Sequence, residues 1–598
     1  MKNSVKLIAF SLSFVFISCG SVKTKEVVEP IVEFNVDLLD RSDDTFKVVV
    51  IAPELKEQNN IFQFASSAPG TYQVMDIGRF VRSFKAYDIN GVEINTEKIN
   101  TNQYQLSTPE KISKIEYSIA ETWDTKVEEH PIYLMAGTSI ENDHTLINGQ
   151  AVFGYFKGKQ AYPIKVKINY PSEWLVGTAL KKSKEDYYLA NNYDHIVDSP
   201  ILLGNLTSAT MDVQGTSVDV YTYSKTGMVK SQEVLESMSE MLNSASSFVN
   251  GLPVKHYTFL FHFEDVSAGA WEHSYSSEYI SKEDDWDNLE KDILDTAAHE
   301  FFHVITPLNI HSEIIQEFNF ITPIASRHLW LYEGTTEWAS HMMLFQSGQK
   351  SLNDYLKMLH DKILLSKNLY DEEYSILDLA LNSYTAEGQK QYGNIYMRGS
   401  LVAGLLDIKL LELSNGKKGL KEVVNELAQK YGPYKPFKDD SFFDEFTKMT
   451  FPEIGSFFEK YVKNAKPLPF KEYYHKIGID YFDKIVDDTK SGIDFNYYPI
   501  PQGLYILADS KDTTFSEFKK GDFILSINGE AANVNTISDL LSNLEKQKIG
   551  SSYKVNFVRK GKKVDAEFKT SPKTQIFVFQ VNENANDKQL KLRKSWMD

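Results

Sequence analysis

Two histidines with a glutamate between them stand out in the segment 296–303, which reads Thr-Ala-Ala-His-Glu-Phe-Phe-His. At 3.6 residues per turn, His299 and His303 would project from one face of a helix, and both could bind one metal ion. Glu300 lies beside them and could accept a proton from a water, because zinc lowers the pKa of a bound water to about 7. The His-Glu-x-x-His spacing is therefore typical of a zinc hydrolase.

Two histidines do not complete a zinc site, so a third ligand is needed. The metzincin extension requires Gly at 306 and His at 309, whereas this chain has Thr306 and Asn309. The other common solution is a glutamate from a second helix. Glu333 meets this need within an aromatic segment, where an unpaired carboxylate would be costly to bury. Glu337 follows one turn later and could orient a ligating histidine, or it could be a surface glutamate.

A polar loop at 267–274 follows a predicted buried strand and carries Glu272 and His273. In a metallopeptidase, an edge strand beside the zinc binds the substrate backbone, so a glutamate there could hold the N-terminal ammonium of a peptide. Gly269 and Trp271 belong to the same candidate substrate-binding loop. The alternative is a solvated pair of polar side chains.

Tyr396 lies in a second candidate segment, which spans residues 392–399. A tyrosine near zinc can donate its hydroxyl to the developing oxyanion of a tetrahedral intermediate, a contribution of about 3 kcal/mol when well aimed. Spacing alone does not show that Tyr396 faces the metal.

Composition bounds the number of domains and excludes one class of partner. A chain of 598 residues with 42% hydrophobic and 24% charged residues is typical of a protein with roughly four domains. The net charge of -18 argues against nucleic acid, because phosphate binding depends on clusters of Lys and Arg. Peptides remain suitable partners.

The first residues have the features of an export signal. Lys2 and Lys6 flank an apolar run at 7–17 that is too short to span a bilayer. Cys19 follows this run as the only cysteine of the chain and resembles the lipidated residue of a bacterial lipobox, although Phe16 stands where Leu is more common. We expect an exported lipoprotein, anchored in the periplasm or at the cell surface. An ordinary signal peptide is the alternative.

The motifs, in their order along the chain, resemble the glycyl aminopeptidase family of metallopeptidases. The most specific segments are 299–303, 330–334 and 396–399, and the segments Pro69–Tyr72 and Phe457–Val462 support them. The family consists of gluzincins with a thermolysin-like catalytic domain. The resemblance therefore implies a multidomain α+β fold with a β-rich N-terminal domain, a helical domain and a C-terminal PDZ-like domain.

We predict seven segments from these patterns. They are a lipoprotein signal peptide at 1–19, a tether at 20–30, the β-rich domain at 31–225, the catalytic domain at 226–343, the helical domain at 344–473, the PDZ-like domain at 474–573 and a tail at 574–598.

The resemblance also implies individual roles. Tyr396 would be the oxyanion donor, and Glu272 would correspond to the substrate-amine glutamate of the family's Gly-Leu-Glu-His motif. Three residues depart from the family pattern: Trp271 replaces a smaller apolar residue, Arg398 replaces Lys and Trp338 replaces Tyr. Trp271 puts a preference for N-terminal glycine in doubt.

We therefore expect an aminopeptidase with one zinc ion that removes N-terminal residues from peptides, small residues such as Gly or Ala being suggested by the resemblance. The PDZ-like domain could bind peptide segments. A zinc endopeptidase of the same family and a non-catalytic peptide-binding lipoprotein are the alternatives.

Overall fold

The computed structural model describes residues 30–267, 269–493, 495–509 and 518–598. The predicted signal peptide with Cys19 lies outside the described residues. Within these ranges, no helix is long and apolar enough to cross a lipid bilayer. The predicted multidomain α+β architecture is confirmed, with a β-rich domain first, helices in the middle and a small β domain near the end.

The N-terminal domain is built largely from strands, and in Val32–Asp37 buried residues alternate with partly buried ones. Its elements are β1 (Val32–Asp37), β2 (Thr45–Ile51), β3 (Ile61–Gln63), β4 (Val81–Asp88), β5 (Glu93–Ile94), β6 (Thr96–Asn100), β7 (Gln103–Leu106), β8 (Ile112–Ala120), β9 (Ser139–Ile140), β10 (His144–Ile147), α1 (Gly149–Val152), β11 (Tyr155–Phe156), β12 (Ile164–Asn169), β13 (Leu175–Gly177), β14 (Lys181–Lys182), β15 (Tyr188–Ala190), α2 (Tyr193–Val197) and β16 (Ile201–Gly204). The strands form sheets in the orders β14-β15-β12-β1-β2-β8-β4-β5, β13-β16-β10-β9 and β11-β3-β7-β6.

The catalytic domain is a five-stranded sheet with helices on one face. Its elements are β17 (Thr207–Val213), β18 (Thr216–Ser224), α3 (Ser231–Phe248), β19 (His256–Glu264), β20 (Gly269–Glu272), β21 (Ser276–Lys282), α4 (Trp286–Phe302), α5 (Glu313–Gln316) and α6 (Thr336–Gln346). The strand order is β17-β18-β19-β21-β20, with β18, β19 and β21 parallel and β20 antiparallel at the edge.

Two of these strands begin before residue 226, where the sequence analysis placed the domain boundary. Strand β17 pairs with β18, and β18 pairs in turn with β19. Alternation along β17 and β18 predicts strands but does not reveal which sheet they join, so the boundary was set too late.

The helical domain packs directly on the catalytic helices, and the two share one hydrophobic core. Its helices are α7 (Leu352–Leu369), α8 (Ile376–Leu381), α9 (Ala386–Gln391), α10 (Ser400–Leu413), α11 (Leu420–Lys430), α12 (Phe442–Met449), α13 (Pro452–Tyr461) and α14 (Phe470–Lys476). Helix α10 is the centre of this domain, since nearly all of its side chains are buried. Such a helix is apolar on all sides because neighbours cover every face.

The C-terminal part contains a small β domain and two elements that return to the main body. Its elements are β22 (Ile479–Gly492), β23 (Tyr497–Ile500), β24 (Gly503–Ile506), β25 (Phe523–Ile527), β26 (Glu530–Ala531), α15 (Ile537–Glu545), β27 (Ser552–Arg559), β28 (Lys562–Lys569), β29 (Ser571–Val581) and α16 (Asp587–Met597). Strands β23-β24-β25-β27-β28 and helix α15 enclose a separate core. Beyond residue 573, β29 pairs with β22, and Trp596 of α16 is buried against Tyr355 and Tyr474. The predicted tail is therefore part of the folded body.

Candidate active site

Helix α4 carries the two-histidine motif at its C-terminal end. Phe301 packs against the sheet, with its ring centroid 4.9 Å from that of Tyr257 on β19. Residues two before and two after Phe301 lie on the far side of a helix with 100° per residue. This packing therefore turns His299 and His303 away from the sheet, toward α6, which packs beside α4.

A π-helical segment, Trp330–Thr335, leads into α6 and carries Glu333. A second π-helical segment, Ile395–Gly399, leads into α10 and carries Tyr396. The two segments meet at Gly334 and Gly399, where a Cβ on Gly334 would lie 3.0 Å from the carbonyl carbon of Gly399. A side chain at either glycine would crowd this contact, which brings together the segments that carry Glu333 and Tyr396.

Three potential ligand atoms converge between α4 and the first π-helical segment. Nε2 of His299 lies 3.2 Å from Nε2 of His303. The Glu333 carboxylate oxygen Oε2 lies 3.4 Å from the first nitrogen and 3.6 Å from the second. A tetrahedral ion with bonds of 2.0–2.1 Å requires ligand atoms about 3.3–3.4 Å apart. The three donors therefore fit one zinc ion.

The hydrogen bonds of both histidines leave these nitrogens free. Nδ1 of His299 donates to Oε2 of Glu337 over 2.6 Å, and Nδ1 of His303 donates to the Thr306 carbonyl over 2.8 Å. A carboxylate or carbonyl oxygen only accepts, so Nδ1 carries the proton in each neutral ring and Nε2 presents its lone pair. This is the tautomer that a metal requires.

Glu337 is a partly buried partner of the site, with its side chain 15% exposed. Its second oxygen, Oε1, accepts from Lys362 Nζ at 2.5 Å and from His341 Nε2 at 3.1 Å. Burial raises the pKa of Glu337, but Lys362 and the two histidines that contact Glu337 lower it by more. The net pKa therefore lies well below the usual value. Lys362 also donates to the Tyr396 carbonyl at 3.2 Å and so links the second π-helical segment to this network.

Glu300 lies next to the converging ligand atoms. A carboxylate oxygen of Glu300, one of Glu272 and a ring nitrogen of His303 lie within 4.8 Å of one another. Burial raises the pKa of Glu300 to about 7, with a further increase from the Glu333 carboxylate and an opposing effect of His299. Glu300 is therefore suited to exchanging a proton near neutral pH.

The segment predicted as a polar loop forms the edge strand β20 in residues 269–272. Successive side chains of a strand point to opposite faces, so Glu272 faces the cleft while Trp271 and His273 face the N-terminal domain. His273 is buried with Nδ1 3.5 Å from Asp198, and Trp271 belongs to the core of the N-terminal domain. Gly269 starts the strand in an open position. Of these four predicted substrate-binding residues, Glu272 is the one whose carboxylate lies beside the metal-binding side chains.

The N-terminal domain supplies a wall of the cleft through its Pro-Gly-Thr-Tyr segment at residues 69–72. A Cβ on Gly70 would lie 2.7 Å from Oε1 of Glu272 and 2.8 Å from Nε1 of Trp271, and the φ of +77° at this position favours glycine. Tyr72 follows with a ring centroid 5.3 Å from that of Tyr392, and its carbonyl accepts from Gln389 Nε2 at 2.7 Å. The contacts of Tyr72 join segments more than 300 residues apart. The only sequence signal for them was the family resemblance of the Pro-Gly-Thr-Tyr segment.

Tyr396 faces the same cleft. Its ring centroid lies 5.5 Å from that of His299 and 6.0 Å from that of Tyr392. Burial and the carboxylates of Glu333 and Glu300 raise the pKa of Tyr396 well above its usual value. The hydroxyl therefore keeps its proton at neutral pH and can act as a hydrogen-bond donor.

Two of the three departures from the family pattern serve packing. Arg398 is buried and donates to the Lys466 carbonyl at 2.8 Å. Trp338 packs against Phe248 of α3 with ring centroids 6.1 Å apart. Neither side chain belongs to the cleft.

Comparisons with known proteins identify similar domains in three parts of the chain. Residues 33–205 match the sequence model of the peptidase M61 N-terminal domain, residues 292–402 match that of the M61 glycyl aminopeptidase, and residues 503–570 match a PDZ domain. No curated protein matches the chain.

Among solved structures, the chain is similar to an aminopeptidase N family protein from Idiomarina loihiensis, with a TM-score of 0.74, 20% identity and coverage of 95% of this chain and 100% of that one. An M1 zinc metallopeptidase from Deinococcus radiodurans has a TM-score of 0.45 at 11% identity, covering 74% of this chain and 95% of that one. The first likeness confirms the fold.

Proposed function

We propose that this chain, a metallopeptidase with the N-terminal and catalytic domains of the M61 glycyl aminopeptidase family, is a zinc-dependent aminopeptidase that acts on peptides outside the cytoplasm. The observation that carries the exopeptidase assignment is the position of Glu272. Its carboxylate stands on an edge strand beside the converging His299, His303 and Glu333 side chains, in a cleft rich in negative charge.

One zinc ion held by His299, His303 and Glu333 would polarise the scissile carbonyl and lower the pKa of the attacking water. Glu300 lies within reach of the same space, accepts the proton of that water and passes it to the departing amine. Tyr396 donates its hydroxyl to the carbonyl oxygen as negative charge develops there.

Glu272 would hold the substrate ammonium. Burial, together with the carboxylates of Glu333 and Glu300, raises the pKa of Glu272 well above its usual value. The ammonium group of a free peptide N-terminus would lower this pKa, so Glu272 ionises when the substrate binds. The close approach of Gly70 and the aromatic wall at Tyr72 favour a small first side chain such as Gly or Ala.

Export and anchoring through Cys19 complete the proposal. The short apolar run with Lys2 and Lys6 before the only cysteine supports lipidation. Metabolic labelling with a fatty acid tests it: wild type incorporates label and C19A does not. Equal labelling of both would contradict the proposed anchor.

The PDZ-like domain would bind a segment of a longer peptide. A cavity of about 630 Å³ lies between β23 and α15, the two elements that flank a peptide groove in such domains, and residues of α7 also line it. A peptide bound there would lie against the helical domain.

Hydrolysis of matched free and N-acetylated peptides tests the proposed reaction. We expect cleavage of the free peptides alone, one residue at a time, and loss of activity in E300Q with zinc content unchanged. Equal cleavage of both peptide types would favour the endopeptidase. Absence of cleavage by zinc-loaded wild type would favour a binding protein.

A further inference from the structure

A second group of metal-binding side chains lies outside the catalytic cleft. Nε2 of His144 lies 3.0 Å from Nε2 of His262. Oε1 of Glu264 lies 3.5 Å from the first nitrogen and 3.9 Å from the second. The corresponding distances among His299, His303 and Glu333 are 3.2, 3.4 and 3.6 Å. The second group therefore has the same kinds of ligand atoms at similar spacing.

His144 is oriented as a ligating histidine. Its Nδ1 lies 2.9 Å from Oδ1 of Asp143, which only accepts, so Nδ1 carries the proton and Nε2 presents a lone pair toward His262 and Glu264. This is the carboxylate–histidine arrangement that orients metal ligands, and Glu337 holds His299 in the same way.

Aromatic rings fix both imidazoles from the sides. Tyr223 stacks on His144 with centroids 3.8 Å apart, and Trp123 stacks on His262 at 5.0 Å. The His144 and His262 side chains are 1% and 2% exposed, and that of Glu264 is 12% exposed. The ligand atoms are therefore preorganised, with an entry path on the carboxylate side.

This second group lies on the opposite face of the catalytic sheet from helix α4. In β19, Tyr257 and Phe259 contact Phe301 of α4, so odd-numbered residues face the helices. His262 and Glu264 are even-numbered and face the N-terminal domain, where β10 carries His144. The group is therefore separate from the catalytic site and connects two domains.

Lys225 and the neighbouring acid Asp265 also lie at this edge. Lys225 Nζ binds Oε2 of Glu264 at 3.0 Å and Asp265 at 2.6 Å. This leaves Oε1, the oxygen that points to the imidazoles, for a further cation. Two imidazole nitrogens and one carboxylate oxygen are a ligand set that suits zinc.

We propose that His144, His262 and Glu264 bind a second Zn²⁺ ion, which joins the N-terminal domain to the catalytic sheet. Water would fill the remaining coordination position. The ion would stabilise the domain interface and take no part in hydrolysis, because the sheet separates it from the cleft.

Zinc stoichiometry of the full chain tests the proposal. The protein is stripped with a chelator, equilibrated with Zn²⁺, freed of unbound metal and analysed by mass spectrometry. We expect two equivalents in wild type and one in H144Q/H262Q, which keeps its peptidase activity at saturating zinc. The matched control is H256Q, on the same strand, where the half-exposed ring pairs with Asp219. This variant should hold two equivalents.

A second variant keeps the proposal testable if H144Q/H262Q misfolds at the domain interface. H299Q/H303Q/E333Q removes the catalytic ligands and leaves the proposed site intact, so it should hold one equivalent whose X-ray absorption shows two imidazole ligands. Its melting temperature should rise with added Zn²⁺. If this variant binds no zinc, or if wild type and H144Q/H262Q hold the same amount, the two histidines share only a hydrogen bond and the proposal is wrong.

Discussion

Replacing Glu272 by glutamine keeps the size of the side chain on the edge strand β20 but removes the negative charge that this side chain would carry when a substrate ammonium is bound. In wild type this charge would face the ammonium group of the substrate in a partly buried cleft. Breaking a buried ion pair costs about 3 to 5 kcal/mol, and partial exposure of Glu272 favours the lower end of this range. At 1.36 kcal/mol per factor of ten, 3 kcal/mol corresponds to roughly 150-fold in kcat/KM.

The assay compares kcat/KM for alanyl and glycyl p-nitroanilides with that for their N-acetylated forms. We expect E272Q to lose roughly two orders of magnitude on the free substrates and little on the acetylated ones, so that the preference for a free N-terminus largely disappears. The matched control is E278Q on the adjacent strand β21. Glu278 is buried, accepts from Asn148 at 2.9 Å and has a pKa that burial raises well above its usual value. Glu278 faces Asn148 of the N-terminal domain and would meet no substrate ammonium, so it should stay neutral and E278Q should behave as wild type.

Two results would refute this reasoning. One is an E272Q enzyme with normal zinc content that cleaves free substrates within threefold of the wild-type rate. The other is an equal loss on free and acetylated substrates, which would show that Glu272 supports the metal site instead of the amine.

Three further predictions concern Tyr396, Glu337 and Asp407. Y396F should lower kcat about 100-fold with little change in KM, because the lost hydrogen bond forms mainly in the transition state; a change in KM alone would contradict the oxyanion role. E337Q should weaken zinc binding 10- to 100-fold in chelator competition, because it alters the acceptor that orients His299; unchanged affinity would count against this role. Burial raises the pKa of Asp407 to about 7, so the folded state binds more protons than the unfolded chain between about pH 4 and pH 7, and stability falls as pH rises through that interval. D407N should remove this loss, up to about 4 kcal/mol, in urea unfolding at a series of pH values, and parallel pH profiles of variant and wild type would show the assignment to be mistaken.

The local part of the active site could be predicted from sequence because it depends on helical geometry. His299, Glu300 and His303 lie within one turn of α4, and Glu333 precedes Glu337 by one turn. The structure brings these residues together through contacts that no local pattern encodes. The meeting of Gly334 with Gly399 is the clearest case, since it joins segments 65 residues apart in a close backbone contact.

The substrate side of the cleft could not be predicted in the same way. Strand β20 is short and lies at the sheet edge, so its polar residues suggest a loop, and only the pairing with β21 shows that Glu272 and Trp271 face opposite sides. Tyr72 depends on packing between domains. His144 and His262 are 118 residues apart and follow no ligand spacing, so sequence reasoning gave no signal for them.

The charges around the cleft connect the metal with the proposed specificity. Glu272, Glu300, Glu333 and Glu337 place four carboxylates near one another, and Lys362 forms an ion pair with one of them, Glu337. With neutral histidines and all four carboxylates ionised, three negative charges would remain unbalanced. Burial, together with the neighbouring carboxylates, therefore raises the pKa of Glu272 and of Glu300 when no positive charge is bound. One Zn²⁺ ion and one ammonium group carry three positive charges between them. An acetylated N-terminus leaves one carboxylate without a partner inside a poorly hydrated cleft, so discrimination against blocked peptides follows from the same charges that hold the metal.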